Sequence, residues 1–421
     1  MGSSEADDTS SSDDSGSSAT ADVQHLEHTL LVSAFVLLGA GILFPWNSWI
    51  TAVDYFSAAH PHASIDRLFS VFYMIPSLVG LAPVMQFADR LPSLVRIEAG
   101  LLAYVACLLV VPVGDALTGN VSLPATLVAV CVTGLADAVV QGSLYGFAAP
   151  LPAKYTQALT AGASISGLVA SGLRIMTKAA LPETFVGMRC SAHFYFICST
   201  AVVVACIAVH RLVIGSRLYR HYTTAASSDF STNPPLNGVR CAMPDEQITT
   251  GETQEGASSS CALLRRIWAC ATAVAGVYVV TLAIFPGAVT EDVSSQVLGS
   301  WYPILLITLF NVGDVVGKAA PGQSFFLPVP ADKALLACVA ARVLFIPLFA
   351  MCAAWRASPL IMGTFTFAWG VSNGYCSAAA FMRAPQLLPV REKEAGGIIM
   401  VVALLVGLTL GACAGWLWLL I

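Results

Sequence analysis

Long apolar runs alternate with short polar segments along almost the whole chain. Eleven of these runs have about the 20 residues that a helix needs to cross a hydrocarbon core, at 29–52, 68–88, 97–115, 123–149, 156–180, 191–214, 266–289, 299–319, 334–354, 357–381 and 395–420. The first run is too long and too polar for a cleaved signal peptide, and no basic segment precedes it. The pattern predicts an all-α polytopic membrane protein with eleven transmembrane helices.

Two hydrophilic segments divide the chain. Residues 1–28 contain acidic residues, Ser and Thr but no Lys or Arg, and this composition predicts a disordered acidic cytoplasmic tail. Residues 215–262 are rich in Ser, Thr, Gly and Pro, as is typical of a cytoplasmic linker loop. The loop separates a predicted six-helix bundle at 29–214 from a five-helix bundle at 263–421, with a pathway expected between them.

The composition supports a membrane protein and excludes several other classes. Charged residues make up 11% of the chain, against about 25% in a soluble domain. The net charge of −5 comes largely from the tail, so no basic surface for nucleic acid is expected. Most cysteines lie inside predicted helices without metal-type spacing, which favours small buried apolar side chains. No P-loop, Ser/His/Asp order or His-rich cluster is present, so we expect neither an ATP-driven pump, an enzyme, a metal nor a cofactor.

Basic residues fall mainly on one side of the predicted membrane. With the tail inside, thirteen Lys and Arg residues lie in inner loops and three in outer loops. The positive-inside rule then predicts a cytoplasmic N-terminus and an outside C-terminus. Asn120 begins a glycosylation sequon in an outer loop, and its use is left open. Four arginines flank the long loop, either as orientation anchors or as contacts to anionic membrane lipid: Arg217, Arg220, Arg265 and Arg266.

Polar residues interrupt two of the first four apolar runs. The first run contains Pro45, Trp46 and Asn47 at mid-membrane depth, where polar groups are costly unless they face protein or water. We expect this helix to line a path, with Pro45 as its break. In the fourth run, Asp137 and Gln141 are four residues apart and share a helical face. An ionisable group at this depth indicates a functional site, the alternative being a satisfied interhelical hydrogen bond.

Two later runs carry charged pairs. Arg174 and Lys178 are four residues apart and need acids or water nearby, and the small residues before them predict close helix packing. Asn311, Asp314 and Lys318 share one face of the eighth run. An Asp–Lys pair at this spacing neutralises itself, so it is either a self-satisfied pair or, as we favour, part of a polar pathway.

Together these motifs resemble the equilibrative nucleoside transporter family, from about residue 35 to the C-terminus. Six motifs in the family's order are more specific than any one of them. They are Pro-Trp-Asn at 45–47, Gln-Gly-Ser-Leu-Tyr-Gly at 141–146, Phe-Pro at 285–286, Phe-Asn-Val-Gly-Asp at 310–314, Ser-Asn-Gly-Tyr at 372–375 and Ala-Gly-Gly at 395–397. The segments at 134–137 and 171–178 are most similar to plant-type members.

The resemblance implies a major-facilitator-like 6+5 bundle that carries purine and pyrimidine nucleosides by alternating access. A nucleoside needs an apolar platform for its flat face and a few placed polar groups for its edges. The resemblance places Asp314 against the ribose hydroxyls and Gln141 at the base edge. The other substrate-binding residues that it implies are Leu43, Trp46 and Ile50 as the wall, with Asn47, Phe285 and Asn311 nearby.

Two positions depart from the family's pattern. Lys318 stands where many members have arginine, and a point charge does not replace a planar guanidinium. Asp137 stands where many animal members have a small residue, and a carboxylate there could carry a proton. Asp137, Arg174 and Lys318 are therefore candidates for coupling or gating, and uniport and proton symport both stay open.

Three alternatives remain at this point. A transporter of the same fold could carry nucleobases or another small organic solute. A receptor or channel is disfavoured because the two bundles have matched polar faces and no filter loop is present. A membrane-embedded enzyme is the weakest option because no nucleophile–base pair is visible. The family default is the plasma membrane, and a vacuolar membrane stays open.

Overall fold

The computed structural model describes residues 11–63, 65–87, 90–119, 122–222, 255–284, 295, 297–321 and 329–415. Helices fill most of these ranges, and none of the ranges contains a strand. In chain order the helices are α1 (Ser11–Thr51), α2 (Val53–Ala59), α3 (Ile65–Phe87), α4 (Ser93–Thr118), α5 (Leu123–Ala148), α6 (Ala153–Ala180), α7 (Phe185–Gly215), α8 (Glu255–Ile284), α9 (Tyr302–Ala319), α10 (Asp332–Arg342), α11 (Phe345–Ala354), α12 (Pro359–Arg383) and α13 (Lys393–Gly415).

The described helices confirm the predicted polytopic membrane class. Nine helical segments are long and apolar enough to cross a membrane. The remaining two predicted spans coincide with α3, whose apolar part covers Leu68–Val84, and with α12, which threonine, serine and asparagine side chains make less apolar. Nine spans satisfy the length and composition criteria within the described ranges, so the number eleven stays a prediction.

Proline does not interrupt the first span where the sequence predicts a break. Helix α1 continues through Pro45 to Thr51, and the interruption comes at Ala52, before α2. A helix inside a bundle tolerates proline because neighbouring groups satisfy the freed backbone. The ninth predicted span does break, between α10 and α11, where Pro347 cannot donate to the carbonyl four residues earlier.

The start of α1 also differs from the prediction. Helix α1 begins at Ser11, inside the segment 1–28 that the composition assigns to a disordered tail. Extending a formed helix fixes one residue for each hydrogen bond and is far cheaper than starting one. The long apolar span therefore supplies the nucleus that the acidic segment lacks. The predicted linker at 215–262 falls mostly outside the described residues, and the domain boundary stays a prediction.

Close approach of two helix pairs depends on glycine. A Cβ atom on Gly162 of α6 would overlap the carbonyl oxygen of Val36 in α1. A Cβ atom on Gly374 of α12 would overlap the carbonyl oxygen of Asp314 in α9. Small residues at such contacts let membrane helices pack backbone to backbone. The two pairs bring the polar side chains of α1, α6, α9 and α12 within hydrogen-bonding distance of one another.

Following the predicted division of the chain, we call helices α1–α7 one half of the bundle and α8–α13 the other. Helix α6 packs along α9 and α12, and α13 packs against α3 and α5. One apolar core contains buried residues from both halves. We name the end that carries Arg96, Arg211 and Arg266 the basic end, and the end that carries Lys178 and Arg189 the opposite end.

Candidate functional site

Two serines of α6 contact the other half of the bundle, and a third contacts α1. The Ser164 hydroxyl donates to the Asp314 carboxylate in α9. The Asn311 amide donates to Ser171 Oγ over 2.8 Å, so that two turns of α6 contact α9. The Asn47 amide of α1 donates to Ser166 Oγ over 2.9 Å. Of the residues predicted from the sequence, Asn311 and Asp314 therefore contact one face of α6, and Asn47 contacts Ser166 on the opposite face.

The Asp314 carboxylate is surrounded by donors and is 6% exposed. Its Oδ2 lies 3.1 Å from Lys318 Nζ and also accepts from Ser164. Its Oδ1 accepts from the Asn373 amide over 2.7 Å. A carboxylate has about four acceptor positions. One acceptor position on Oδ1 is left unused by these contacts, and the predicted Asp314–Lys318 pair forms at the interface of the halves.

A buried arginine stands behind Asn373. Arg342 of α10 is 2% exposed, and its guanidinium donates to Asn373 Oδ1 over 3.2 Å and to Thr281 Oγ1 over 2.9 Å. Thr281 in turn donates to Asn373 Oδ1 over 2.7 Å. The amide of Asn373 is therefore fixed with its NH₂ group toward Asp314. Arg342 is not among the residues predicted from the sequence, although a cation inside an apolar run is itself a signal of function.

An aromatic wall lies on α1. Trp46 is half-buried, and its ring centroid is 4.3 Å from that of Tyr73 in α3. Leu43 and Ile50 are half-buried as well and follow the same helical face as Trp46. This surface offers a flat apolar platform beside the polar Asn47. Phe285, also predicted to lie close by, is outside the described residues.

Asp137 and Gln141 are both buried in α5. The carboxylate of Asp137 accepts from Ser77 over 3.1 Å and from Tyr104 over 3.0 Å. Gln141 is 3% exposed, and its Oε1 has no hydrogen-bond partner among the described residues. A buried acceptor without a partner costs free energy, so Gln141 is a ready contact for a ligand donor.

Arg174 lies at the opposite end rather than at the centre. Its guanidinium pairs with Asp54 of α2. Lys178, one turn further, lies 2.7 Å from Glu183 and 5.7 Å from the ring centroid of Trp301. Of the two predicted kinds of partner, acids or water, each member of this pair has an acid.

The basic end is closed by contacts between the halves. Arg96 Nη2 of α4 lies 2.6 Å from Glu394 Oε1 of α13. The rings of Tyr145 and Phe381 are 4.4 Å apart. The amide of Gln157 in α6 donates to the carbonyl oxygen at the end of α9, at Lys318, over 3.1 Å. An opening of this end must break these contacts.

Comparisons with known proteins agree with this arrangement. A family model described as nucleoside transporter matches residues 127–420. Equilibrative nucleotide transporter 1 of Arabidopsis thaliana is 37% identical over 404 residues, which cover 91% of this chain and 85% of that protein. Equilibrative nucleoside transporter 4 of Homo sapiens is 30% identical over 440 residues, with coverage of 91% and 81%.

A solved structure is similar in fold. The major facilitator superfamily proton:xylose symporter XylE aligns with a TM-score of 0.63 at 10% identity, covering 93% of this chain and 88% of that one. At this identity the likeness concerns the fold alone, and it confirms the predicted major-facilitator-like architecture. The chain is thus a membrane transporter and not an enzyme, and it belongs to the equilibrative nucleoside transporter family, with plant members among its relatives.

Proposed function

We propose that the protein carries nucleosides by alternating access and binds them between α1, α5, α6 and α9. The observation that carries the proposal is that Asn311 and Asp314 of α9 both contact serines of α6 at the interface of the two halves. A site at this interface changes its surroundings when one half rocks against the other, as transport requires.

The chemistry of the lining suits a nucleoside. Trp46 offers a platform for the base, and the free Oε1 of Gln141 accepts a base N–H. The remaining acceptor position of Asp314 takes a ribose hydroxyl. The apolar platform thus contacts the face of the base, and the two acceptors replace hydrogen bonds to water that the base and the ribose lose on binding.

The buried charges favour a neutral substrate over a nucleotide. Asp137 and Asp314 contribute two negative charges, and Lys318 and Arg342 contribute two positive charges. The four charges cancel when all are ionised, so a phosphate entering this core would add uncompensated charge at high cost. A neutral nucleoside adds none.

Uptake of labelled uridine tests the site. Gln141→Ala and Asp314→Asn should each lower uptake about tenfold, because each removes a buried hydrogen-bond partner of the ligand. The matched control is Thr308→Val, because the Thr308 hydroxyl donates only within its own helix, to Ile304, over 2.7 Å. Surface expression is measured in parallel. Unchanged uptake in both site variants would contradict the assignment.

Competition separates nucleosides from other solutes of similar size. Unlabelled nucleosides should block uridine uptake better than free nucleobases or sugars, since only a nucleoside contacts both Gln141 and Asp314. Equal competition by free bases would favour a nucleobase transporter of the same fold.

We further propose that Asp137 carries a proton during transport and that the basic end faces the cytoplasm of a plasma-membrane protein. Uridine uptake in proteoliposomes with an imposed pH gradient tests the first point. Asp137→Asn should abolish proton-driven accumulation, and retention of the parent's pH dependence would exclude coupling through this residue. Protease access to a tag at residue 1 in intact cells tests the orientation.

A further inference from the structure

A cavity opens at the basic end, away from the aromatic wall and Gln141. It has a volume of about 330 Å³, within the range of small-molecule sites. Its walls come from both halves: Pro152 and Thr156 begin α6, Tyr222 follows α7, and Met382 and Lys393 belong to α12 and α13. None of these residues is part of the site described above.

Two polar groups of this cavity, on Thr156 and Lys393, are available to a ligand. Thr156 is 3% exposed, and its Oγ1 has no hydrogen-bond partner among the described residues. Glu392 and Glu394, on either side of Lys393, are paired with Arg266 and Arg96. The Lys393 ammonium is therefore left without a carboxylate in the part of the chain that the structure describes.

The start of α6 adds partial positive charge to the same cavity. Pro152 occupies the N-cap position, and no side chain caps this terminus. The first backbone N–H groups of a helix and its dipole favour an anion. The helix terminus, the Lys393 ammonium and the unpartnered Thr156 hydroxyl all line this one cavity. The ring of Tyr222 and the side chains of Pro150, Pro152 and Pro385 make the rest of its wall apolar.

We infer that this cavity is a regulatory site for a small aromatic anion of the size and chemistry of a nucleoside monophosphate. The phosphate binds Lys393, Thr156 and the start of α6, and the ring packs against Tyr222. Because both halves build the walls, the ligand binds only while the basic end is closed. It therefore stabilises that state and slows transport without occupying the central site.

Thermal stability of the purified protein with uridine monophosphate tests binding directly. Lys393→Gln should raise the half-saturating concentration about tenfold and Thr156→Val about fivefold. Lys333→Gln is the matched control because Lys333 is exposed at the start of α10 and does not line the cavity. Gln141→Ala should leave stabilisation by uridine monophosphate unchanged, since it alters only the central site.

Uridine flux in proteoliposomes gives the second readout. Uridine monophosphate at the basic end should lower the maximal rate with an unchanged KM, and at ten times its Kd it favours the closed state about 11-fold. Only this flux readout depends on the proposed function, because it requires that the protein carry uridine. If the wild type fails to carry uridine while the binding pattern holds, the proposed function fails and the cavity assignment stands.

Three results would overturn the assignment. Stabilisation that disappears in Gln141→Ala places the nucleotide in the central site. Stabilisation that survives unchanged in both Lys393→Gln and Thr156→Val excludes the cavity. An effect that requires anionic lipid in the vesicles assigns the cavity to a lipid headgroup instead of a soluble anion.

Discussion

The contact between Arg96 and Glu394 is an ion pair that joins the two halves at the basic end. Its Nη2–Oε1 distance is 2.6 Å, and the side chains are 4% and 45% exposed. Alternating access requires this end to open, and the pair must then separate. Arg96→Ala should therefore raise the population of the state that is open at the basic end.

The size of the shift follows from the burial of the two partners. An exposed ion pair contributes about 0–1 kcal/mol, and breaking a buried one costs about 3–5 kcal/mol. One partner here is buried and the other half-exposed, and the Nε and Nη1 atoms of Arg96 have no partner among the described residues. We take an intermediate value of about 1.4 kcal/mol for the contribution of this ion pair to the closed state. Its loss then changes the ratio of open to closed states about tenfold.

Double electron–electron resonance between spin labels at positions 154 and 386, which replace Lys154 and Gln386, measures this ratio as a distribution of label–label distances. The two residues are exposed, lie in different halves, and stand near the basic end. The native cysteines that are exposed in the described part of the chain are first replaced, together with Cys241, which lies outside it; the exposed ones are Cys190, Cys261, Cys338 and Cys413. Arg96→Ala should raise the ratio of long to short label–label distances about tenfold.

Arg211→Ala is the matched control. Arg211 forms a two-pronged pair with Glu98, with both distances 2.8 Å, at the same end but within one half. Its loss should leave the distance distribution unchanged. Exchange of the charges, Arg96→Glu with Glu394→Arg, should restore the closed population. The reasoning is wrong if Arg96→Ala leaves the distances unchanged, or if Arg211→Ala changes them equally.

Three further variants test the packing, the buried arginine and the opposite end. Gly162→Val should lower stability by about 1–3 kcal/mol in thermal unfolding, because α1 backbone fills the space, whereas Gly172→Ala meets nothing within 4 Å and should be neutral. Arg342→Gln should lower uridine uptake about tenfold at normal expression, since Arg342 fixes the amide that holds Asp314; unchanged uptake would remove it from the site. The ammonium group of Lys178 lowers the pKa of Glu183 below its usual value. The ion pair between Lys178 and Glu183 is therefore complete near neutral pH and is lost only as the pH falls through the lowered pKa of Glu183. Glu183→Gln should therefore keep the wild-type pH profile of uptake above about pH 5, and an altered profile would contradict this.

The sequence is informative where one residue type is costly in a membrane. Asp314, Lys318 and Asn311 are unusual in an apolar run, and their spacing alone indicates one helical face. The structure then places all three at the interface of the halves. The apolar length of the runs likewise predicts the helices, because a bilayer leaves a spanning segment no other way to satisfy its backbone.

The serines of α6 are harder to interpret from the sequence. Small residues at 161–172 predict close packing, and Gly162 does pack in this way. Ser164, Ser166 and Ser171 are equally small, so the pattern gives no reason to assign them polar partners. Their role depends on which residues of α1 and α9 lie opposite, and that is decided by tertiary packing.

The two acids differ in how alternating access affects them. Asp137 accepts from Ser77 and Tyr104, which lie in its own half, so rocking of the halves leaves these contacts in place. Asp314 accepts from Ser164 of the other half, and this contact breaks when the interface opens. A proton on Asp137 can thus be coupled to transport only through the ligand, by way of the neighbouring Gln141. The coupling should therefore weaken in Gln141→Ala even while Asp137 is intact, and full proton-driven accumulation in that variant would exclude this route.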